Sequence, residues 1–152
     1  MTSRRTFLSA LGAAPVALAL SSPARAATPE IYAEDGIAID GTDPVSYFAE
    51  GRSVAGLPAH ELLWRGARWR FSSDAHRARF AADPEAFAPQ YGGWCAWAVA
   101  EGYTASTVPD AWRIVDGRLY LNFSRRIQRR WERDIPGNIA RADANWPAVL
   151  GA

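Results

Sequence analysis

The stretch AWRIVDGRLYLNF, residues 111–123, carries the clearest fold signal in the chain. Apolar and polar residues alternate on both sides of Asp116 and Gly117, which is the pattern of two half-buried strands. An Asp-Gly pair favours the left-handed backbone of a type I′ turn, and this turn matches the twist of antiparallel strands. The stretch therefore predicts a β-hairpin.

A helix is predicted directly after this hairpin, and a second one after a break. Ser124 is a suitable N-cap for the first helix, RRIQRRWERDI. Three apolar residues at four-residue spacing define its buried face: Ile127, Trp131 and Ile135. Pro136 and Gly137 interrupt the pattern, and NIARADANWPAVLG predicts a last helix that ends near Trp146.

Toward the N-terminus, a second hairpin is predicted over ELLWRGARWRF, residues 61–71, where apolar residues flank an Arg-Gly turn. The helix DAHRARFAA follows, with Ser72 or Ser73 as its N-cap. It is predicted to end at Asp83, where Pro84 begins another short helix.

Two shorter segments complete the predicted architecture. GIAIDG, residues 36–41, predicts a short strand after a loose lead-in over residues 27–34, and Pro44 suits the first turn of a short helix. WCAWAVAE, residues 94–101, is predicted as a short buried helix with Gly102 beyond its end, and a buried strand is the alternative for so short an apolar run. These elements predict one α+β domain in which two β-hairpins pack against several short helices.

Residues 1–26 have the layout of an export signal, with a twin arginine, an apolar run shorter than the about 20 residues of a membrane span, and small residues at a cleavage site. The residues that carry the signal are Arg4, Arg5, Ala24 and Ala26. The pattern predicts a twin-arginine signal peptide, with the translocase of that pathway as its partner, and an uncleaved anchor is the alternative. The mature domain, residues 27–152, is then a bacterial periplasmic protein with no membrane span.

The composition argues against two classes of protein. Without Arg4, Arg5 and Arg25, 14 of the 17 basic residues remain against 16 acidic ones, so the mature domain has a net charge of −2. This charge argues against a nucleic-acid partner. Cys95 is the single cysteine of the chain, which excludes an internal disulfide, so the stability of this exported domain must come from packing.

Four stretches of the chain point to one family: GIAIDGTDPVSYF, WRFSSDAHRARFAADPEAFAPQYGGWCAWAV, WRIVDGRLYLNF and ADANWP. Together they resemble the exported branch of the YHS-domain proteins, the small YHS domain-containing (seleno)proteins. The resemblance covers nearly the whole mature chain. It implies metal handling or metal sensing, with copper, iron or zinc as the ion, because the wider family includes metal-binding modules attached to copper transporters and to oxygenases.

The chain departs from that family at the metal-binding positions. The family's modules carry cysteine after Asp-Pro-Val and two more cysteines in a Phe-Cys-x-x-x-Cys pattern, whereas the matching residues here are Ser46, Ser72 and His76. Thiolates bind soft ions tightly and hydroxyls do not replace them, so a degenerate site is predicted. Its two candidate metal ligands are Cys95 and His76, which are expected to pack on the same core.

Two other functions remain open. Cys95 lies at the start of an expected helix, where the helix dipole favours a thiolate, so one alternative is a thiol-based redox protein. Burial between Trp94 and Trp97 would instead raise the pKa of the thiol and leave it as core. The other alternative is a non-catalytic binding or structural domain that uses an exposed aromatic face or the arginine-rich helix over residues 125–133. No pattern of residues predicts a catalytic site, so an enzyme is not favoured.

Overall fold

Six strands and six α-helices make up the part of the chain that this computed structural model describes, residues 21–22 and 26–152. The strands are β1 (Ala33–Glu34), β2 (Ile37–Ala38), β3 (Leu57–Trp64), β4 (Ala67–Phe71), β5 (Trp112–Val115) and β6 (Arg118–Leu121). The helices are α1 (Ser46–Ala49), α2 (Asp74–Ala82), α3 (Pro84–Phe87), α4 (Ala96–Glu101), α5 (Arg125–Trp131) and α6 (Ile135–Asn145). This mixture confirms the predicted α+β class.

Both predicted hairpins are present. β3 pairs with β4 across Arg65 and Gly66, whose φ angles are 48° and 78°, and β5 pairs with β6 across Asp116 and Gly117, whose φ angles are 51° and 75°. Left-handed backbone at both central positions is the geometry of the type I′ turn. β2 is parallel to β4 and antiparallel to β1, so the first hairpin belongs to a four-stranded sheet with the order β1-β2-β4-β3.

The lead-in over residues 27–34 differs from its prediction, because it is part of the core rather than loose. Ile31 and Tyr32 are buried, and the Tyr32 N–H donates to Gly92 O at 2.9 Å. A Cβ atom on Gly92 would lie 1.7 Å from Glu30 O, so this close approach of two backbone segments requires glycine.

Two other predictions are wrong at their boundaries. The strand predicted over residues 36–41 is limited to β2, because Ile39 and Asp40 have φ angles of 42° and 56° and belong to a 3₁₀ turn. Pro136 and Gly137 do not interrupt a helix but lie in the first turn of α6. Proline loses no helical hydrogen bond at that place, since the first N–H groups of a helix have no partner within it.

The other helices are present, with two differences at their ends: the helix predicted over RRIQRRWERDI ends at Trp131, so that Ile135 begins α6, and Pro44 lies before α1 rather than in its first turn. Ser73 and Ser124 cap α2 and α5 by accepting hydrogen bonds from His76 N at 3.2 Å and from Ile127 N at 3.1 Å. WCAWAVAE contains helix α4 rather than a strand, and Gly102 ends that helix with a left-handed φ of 90°.

Two apolar clusters form the core. One contains the fully buried side chains of Trp69, Phe71 and Phe80 and joins β4 to α2. The other contains Tyr120 and Trp131 and joins β6 to α4, α5 and α6. Trp131 is fully buried, as the apolar stripe of its helix predicts.

The two ends of the described domain lie together, since Thr28 N donates to Leu150 O at 2.9 Å. Ala26, one of the predicted signal residues, is exposed. The other three lie outside the described residues: Arg4, Arg5 and Ala24. The signal peptide and the domain boundary therefore stay predictions. Among residues 21–22 and 26–152, no helix has the length and the apolar character needed to cross a bilayer.

Candidate functional site

The candidate site is centred on Asp43, whose side chain is fully buried. Its Oδ1 accepts a hydrogen bond from Val45 N at 2.9 Å. Its Oδ2 accepts three more, from Ser72 N at 2.9 Å, from Ser72 Oγ at 2.7 Å and from His76 Nδ1 at 2.6 Å. Burial of a carboxylate is costly unless the group is hydrogen-bonded, and these four donors provide that compensation.

Local structure brings these residues together. Asp43 forms a turn with Val45 that leads into α1. Ser72 follows the last residue of β4, and His76 is the third residue of α2, which places Ser72 Oγ 3.3 Å from His76 Nδ1. A turn, a strand end and a helix start therefore meet at a single carboxylate.

The His76 ring is held by this cluster through one nitrogen. Both of its side-chain contacts within the described residues are made by Nδ1. Since the Asp43 carboxylate accepts a hydrogen bond, Nδ1 carries the proton and the lone pair of the neutral ring lies on Nε2. The side chain is 16% exposed. A histidine oriented in this way by a carboxylate has the arrangement of many metal-ligating and proton-accepting histidines.

The positions at which YHS modules carry cysteine converge on the same cluster. Ser46 Oγ donates to Asp43 O at 2.6 Å and accepts from Val54 N at 3.2 Å, while Ser72 and His76 contact the carboxylate. The hydroxyls and the carboxylate oxygens are thus already hydrogen-bonded. In the described part of the chain, no group of three or more His, Cys, Asp and Glu side chains could hold a metal ion. Within the described residues, the positions that match the family's cysteines therefore do not form a site with three or more such ligands.

Cys95 lies directly before α4 and is buried, as predicted. Its thiol donates to Asn122 Oδ1 at 3.6 Å, and its sulfur accepts from Phe123 N at 3.3 Å. Burial raises the pKa of the Cys95 thiol, and hydrogen bonds from the backbone N–H groups of Ala98, Phe123 and Trp97 oppose that shift only in part. The thiol is therefore a protonated, packed group at neutral pH.

Cys95 and His76 have no hydrogen-bond partner in common. The thiol bonds to the chain just after β6, whereas the His76 ring bonds to Asp43 and Ser72. The two-ligand metal site stays a prediction, and each of its proposed ligands is engaged in a different part of the fold.

Two buried polar residues have roles that the sequence analysis does not predict. The Asp-Pro pair marks Asp43 as a turn residue, but its partner His76 is 33 positions away and has no local signal. Asn122 is fully buried, and its Oδ1 accepts from Trp97 N at 3.1 Å. Its Nδ2 has no hydrogen-bond partner among the described residues. The signal for Asn122 is a polar residue at the end of an apolar strand.

A depression on the surface beside Cys95 is formed by apolar side chains, three of which are aromatic. We call it the aromatic groove, and it is lined by Cys95, Trp97, Tyr103, Ala105, Phe123 and Ile127. Tyr103 and Phe123 are 51% and 52% exposed. Val108 is also exposed, and its N–H donates at 3.2 Å to the backbone oxygen of Asn122, the residue before Phe123. Exposed apolar side chains are thus concentrated on this face.

A second depression adjoins the aromatic groove and is lined by Phe123, Ser124, Arg126, Ile127, Arg130 and Arg133. Phe123 and Ile127 line both depressions, so the two are continuous. We call the three arginines the arginine rim. The Arg130 guanidinium lies 5.4 Å from the centre of the Trp97 ring. None of the ion pairs found among the described residues includes a rim arginine.

No protein-family model matches the chain, and no curated protein or solved structure is significantly similar to it. The resemblance to the YHS domain therefore rests on the four sequence stretches and stays a prediction.

Proposed function

We propose that this chain is an exported domain of the YHS type that binds a partner without catalysis, through the aromatic groove. The exposure of Tyr103 and Phe123 supports the proposal most directly, because it leaves two large aromatic side chains in contact with water on one face. Clustered apolar surface next to polar residues is typical of interaction sites. Aromatic side chains also contribute much of the binding free energy at protein interfaces.

The environment of the two chemically reactive side chains supports the same proposal. The Cys95 thiol is buried, its pKa is raised, and the chain has no second cysteine that could resolve a sulfenic acid. The His76 ring is held by the buried carboxylate of Asp43. Both arrangements favour a structural role over thiol redox chemistry.

Site-specific photo-crosslinking tests the proposed binding function. A benzophenone amino acid replaces Phe123 in one version of the protein and Leu63 in the control, because Leu63 is 72% exposed but lies on β3. In the periplasm of the native host, we expect one discrete adduct from position 123 and none from position 63. Equal adducts from both positions, or no adduct from position 123, would overturn the proposal.

Metal handling is a second candidate function, and one observation favours it. Asp43 holds Nδ1 of His76 at 2.6 Å, and a carboxylate in this position fixes the ring orientation and the tautomer of many metal-binding histidines. His76 would then bind copper, iron or zinc through Nε2, and Cys95 would be the second ligand of a shared site.

Elemental analysis of the protein purified from its native periplasm tests this second candidate. Metal that is present in the wild type and lost in His76→Ala would support metal handling, whereas a wild type without metal would contradict it. Cys95→Ser is the companion variant. Loss of the ion in this variant would support a shared site, and full retention would remove Cys95 from the ligand set.

A further inference from the structure

The arginine rim and the aromatic groove together define the chemistry of a partner. Among the described residues, no carboxylate lines either depression. The carboxylates nearest in sequence have other partners: Glu132 pairs with Arg113 at 2.6 Å, and Asp134 accepts from Gly137 N at 3.1 Å as the cap of α6. The rim is therefore a positive surface that its neighbours in the fold do not neutralise.

This positive charge is local, because the predicted mature domain has a net charge of −2. The arginines of α5 and the turn after it are Arg125, Arg126, Arg129, Arg130 and Arg133. The three rim arginines recur at positions i, i+4 and i+7, a spacing that places side chains on one face of a helix. At the helical rise this spacing covers about 10 Å. An extended peptide covers the same distance with about three residues.

The aromatic groove beside the rim favours an apolar anchor. Trp97, Tyr103 and Phe123 provide aromatic surface of the kind that dominates binding at interface centres. Arginine is suited to the boundary between an aromatic groove and a charged surface, because its guanidinium stacks on aromatic rings and also binds carboxylates in bidentate geometry. Arg130 already lies over the Trp97 ring. An anchor that excludes water from the groove also strengthens the charge pairs next to it.

We infer that the partner is an acidic protein segment whose single aromatic or aliphatic side chain inserts into the aromatic groove, while two or three of its carboxylates lie against the arginine rim. The inference rests on the proposed binding function and names the class of its partner. Long polyanions such as nucleic acid are less well matched, because the rim has only three arginines and the predicted mature domain is net negative.

Fluorescence anisotropy with a defined probe tests the inference. The probe is a labelled synthetic peptide with the sequence Glu-Glu-Phe-Glu-Glu between Gly-Ser spacers. We expect saturable binding at about 50 mM salt that weakens several-fold at about 300 mM, because salt screens the carboxylate–arginine pairs. Two matched peptides replace Phe with Ser or all four Glu with Gln, and each should bind at least about tenfold more weakly.

Variants of the protein separate the contribution of the rim from that of the groove. Replacing the three rim arginines with Gln should weaken binding at least about tenfold and remove most of the salt dependence. Phe123→Ser should weaken binding to a similar extent and keep the salt dependence. The charge-matched control replaces three other arginines with Gln and should bind as the wild type does: Arg52, Arg77 and Arg79. Circular dichroism establishes that each variant is folded.

Several results would overturn the acidic-segment inference. These are equal binding of the Gln peptide, an unchanged affinity in the rim variant, or tighter binding of a single-stranded oligonucleotide or of phosphatidylglycerol vesicles than of the acidic peptide. If the crosslink from position 123 forms but the acidic peptide fails to bind, the partner class is wrong and the proposed binding function stands. If neither the crosslink from position 123 nor binding of the acidic peptide is observed, both the proposed binding function and the acidic-segment inference are overturned.

Discussion

Asp43 is a single carboxylate that ties three segments of the chain together. The turn before α1, the residue after β4 and the first turn of α2 each direct a donor toward it. Removing the acceptor of several buried hydrogen bonds costs much more than the net stability that these bonds contribute, because the buried donors are left unsatisfied. We therefore expect a substitution of Asp43 to lower the free energy of unfolding by a large amount.

Asp43→Ala should destabilise the domain by about 3–5 kcal/mol, because His76 and Ser72 lose their buried acceptor and each buried donor left unsatisfied costs about 1–3 kcal/mol. Asp74→Ala is the matched control. Asp74 also contacts a histidine, His60, at 3.0 Å, but its side chain is 72% exposed, so we expect a change below about 1 kcal/mol. Urea unfolding followed by tryptophan fluorescence measures both. Equal losses in the two variants would show that the buried cluster has no special structural role.

The Cys95 thiol should react slowly with iodoacetamide at neutral pH, because burial excludes the reagent and raises the thiol pKa. The rate should rise only above the pKa of an ordinary cysteine, about 8.5. The same protein in urea is the control, since unfolding exposes the thiol. Rapid alkylation of the folded protein at neutral pH would favour the thiol redox alternative instead.

At the scale of elements, helix α5 depends on one side chain for its attachment to the core. Trp131 is fully buried and its ring centre lies 5.3 Å from that of Tyr120, whereas Ile127 is only half-buried at the aromatic groove. Trp131→Ala should cost about 3–5 kcal/mol of unfolding free energy. Ile127→Ala on the same helix is the control and should cost about 1 kcal/mol or less. Similar losses of unfolding free energy in the two variants, measured by urea unfolding, would mean that Ile127 attaches the helix to the core as much as Trp131 does.

Most elements can be predicted because their signals are local. The Asp-Gly turn between β5 and β6 and the caps Ser73 and Ser124 each specify one element within a few residues, and all are confirmed. The buried lead-in depends instead on the contact of Tyr32 with Gly92, far along the chain. Hydrophobic alternation over a few residues contains no information about such a contact, so the lead-in is wrongly predicted as loose.

The candidate site can be predicted only in part. The apolar neighbours of Cys95 correctly predict its burial, and the family resemblance groups three positions that lie around Asp43. The hydrogen bonds that close this cluster join residues 29 and 33 positions apart, which no local pattern specifies. Phe123 continues the alternation of the strand before it, yet it is exposed because β6 ends at Leu121.

At the scale of the whole molecule, buried tyrosines should make the domain sensitive to alkali. Burial raises the pKa of four phenols above the ordinary value of about 10: those of Tyr32, Tyr47, Tyr91 and Tyr120. The unfolded chain loses these protons first. Their contribution to stability is therefore complete below about pH 10 and decreases as the pH rises above it. The raised pKa of Cys95 adds a smaller loss that begins near pH 8.5.

Urea unfolding at a series of pH values measures this dependence. We expect the unfolding free energy to fall continuously above about pH 10, and Tyr47→Phe should make the fall shallower, since that variant has one titrating phenol fewer. Tyr47→Phe also loses the hydrogen bond that the Tyr47 hydroxyl donates to Pro109 O at 2.8 Å. The unfolding free energy of each protein at high pH is therefore compared with its own value at neutral pH. A free energy that stays constant up to about pH 12 would contradict the burial of these phenols.

Export also concerns the chain as a whole. Replacing Arg4 and Arg5 with Lys should leave the precursor in the cytoplasm, because the twin-arginine translocase recognises that pair. Arg25→Lys, next to the predicted cleavage site, is the control and should leave export unchanged. Cell fractionation followed by immunoblotting shows whether each variant is in the cytoplasm or in the periplasm. Mature protein at its normal level outside the inner membrane in the Lys-Lys variant would refute the twin-arginine prediction.

The hydrogen bond between Thr28 and Leu150 has a consequence for the order in which the domain is built. A ribosome releases the chain from its N-terminal end, so Thr28 emerges before almost every residue of its own domain and before its partner exists. Ile31 and Tyr32 are likewise synthesised well before Gly92, whose backbone oxygen accepts the Tyr32 N–H. The contact that joins Thr28 to Leu150 can therefore form only after Leu150 has been synthesised, so it belongs to the last steps by which this domain is assembled.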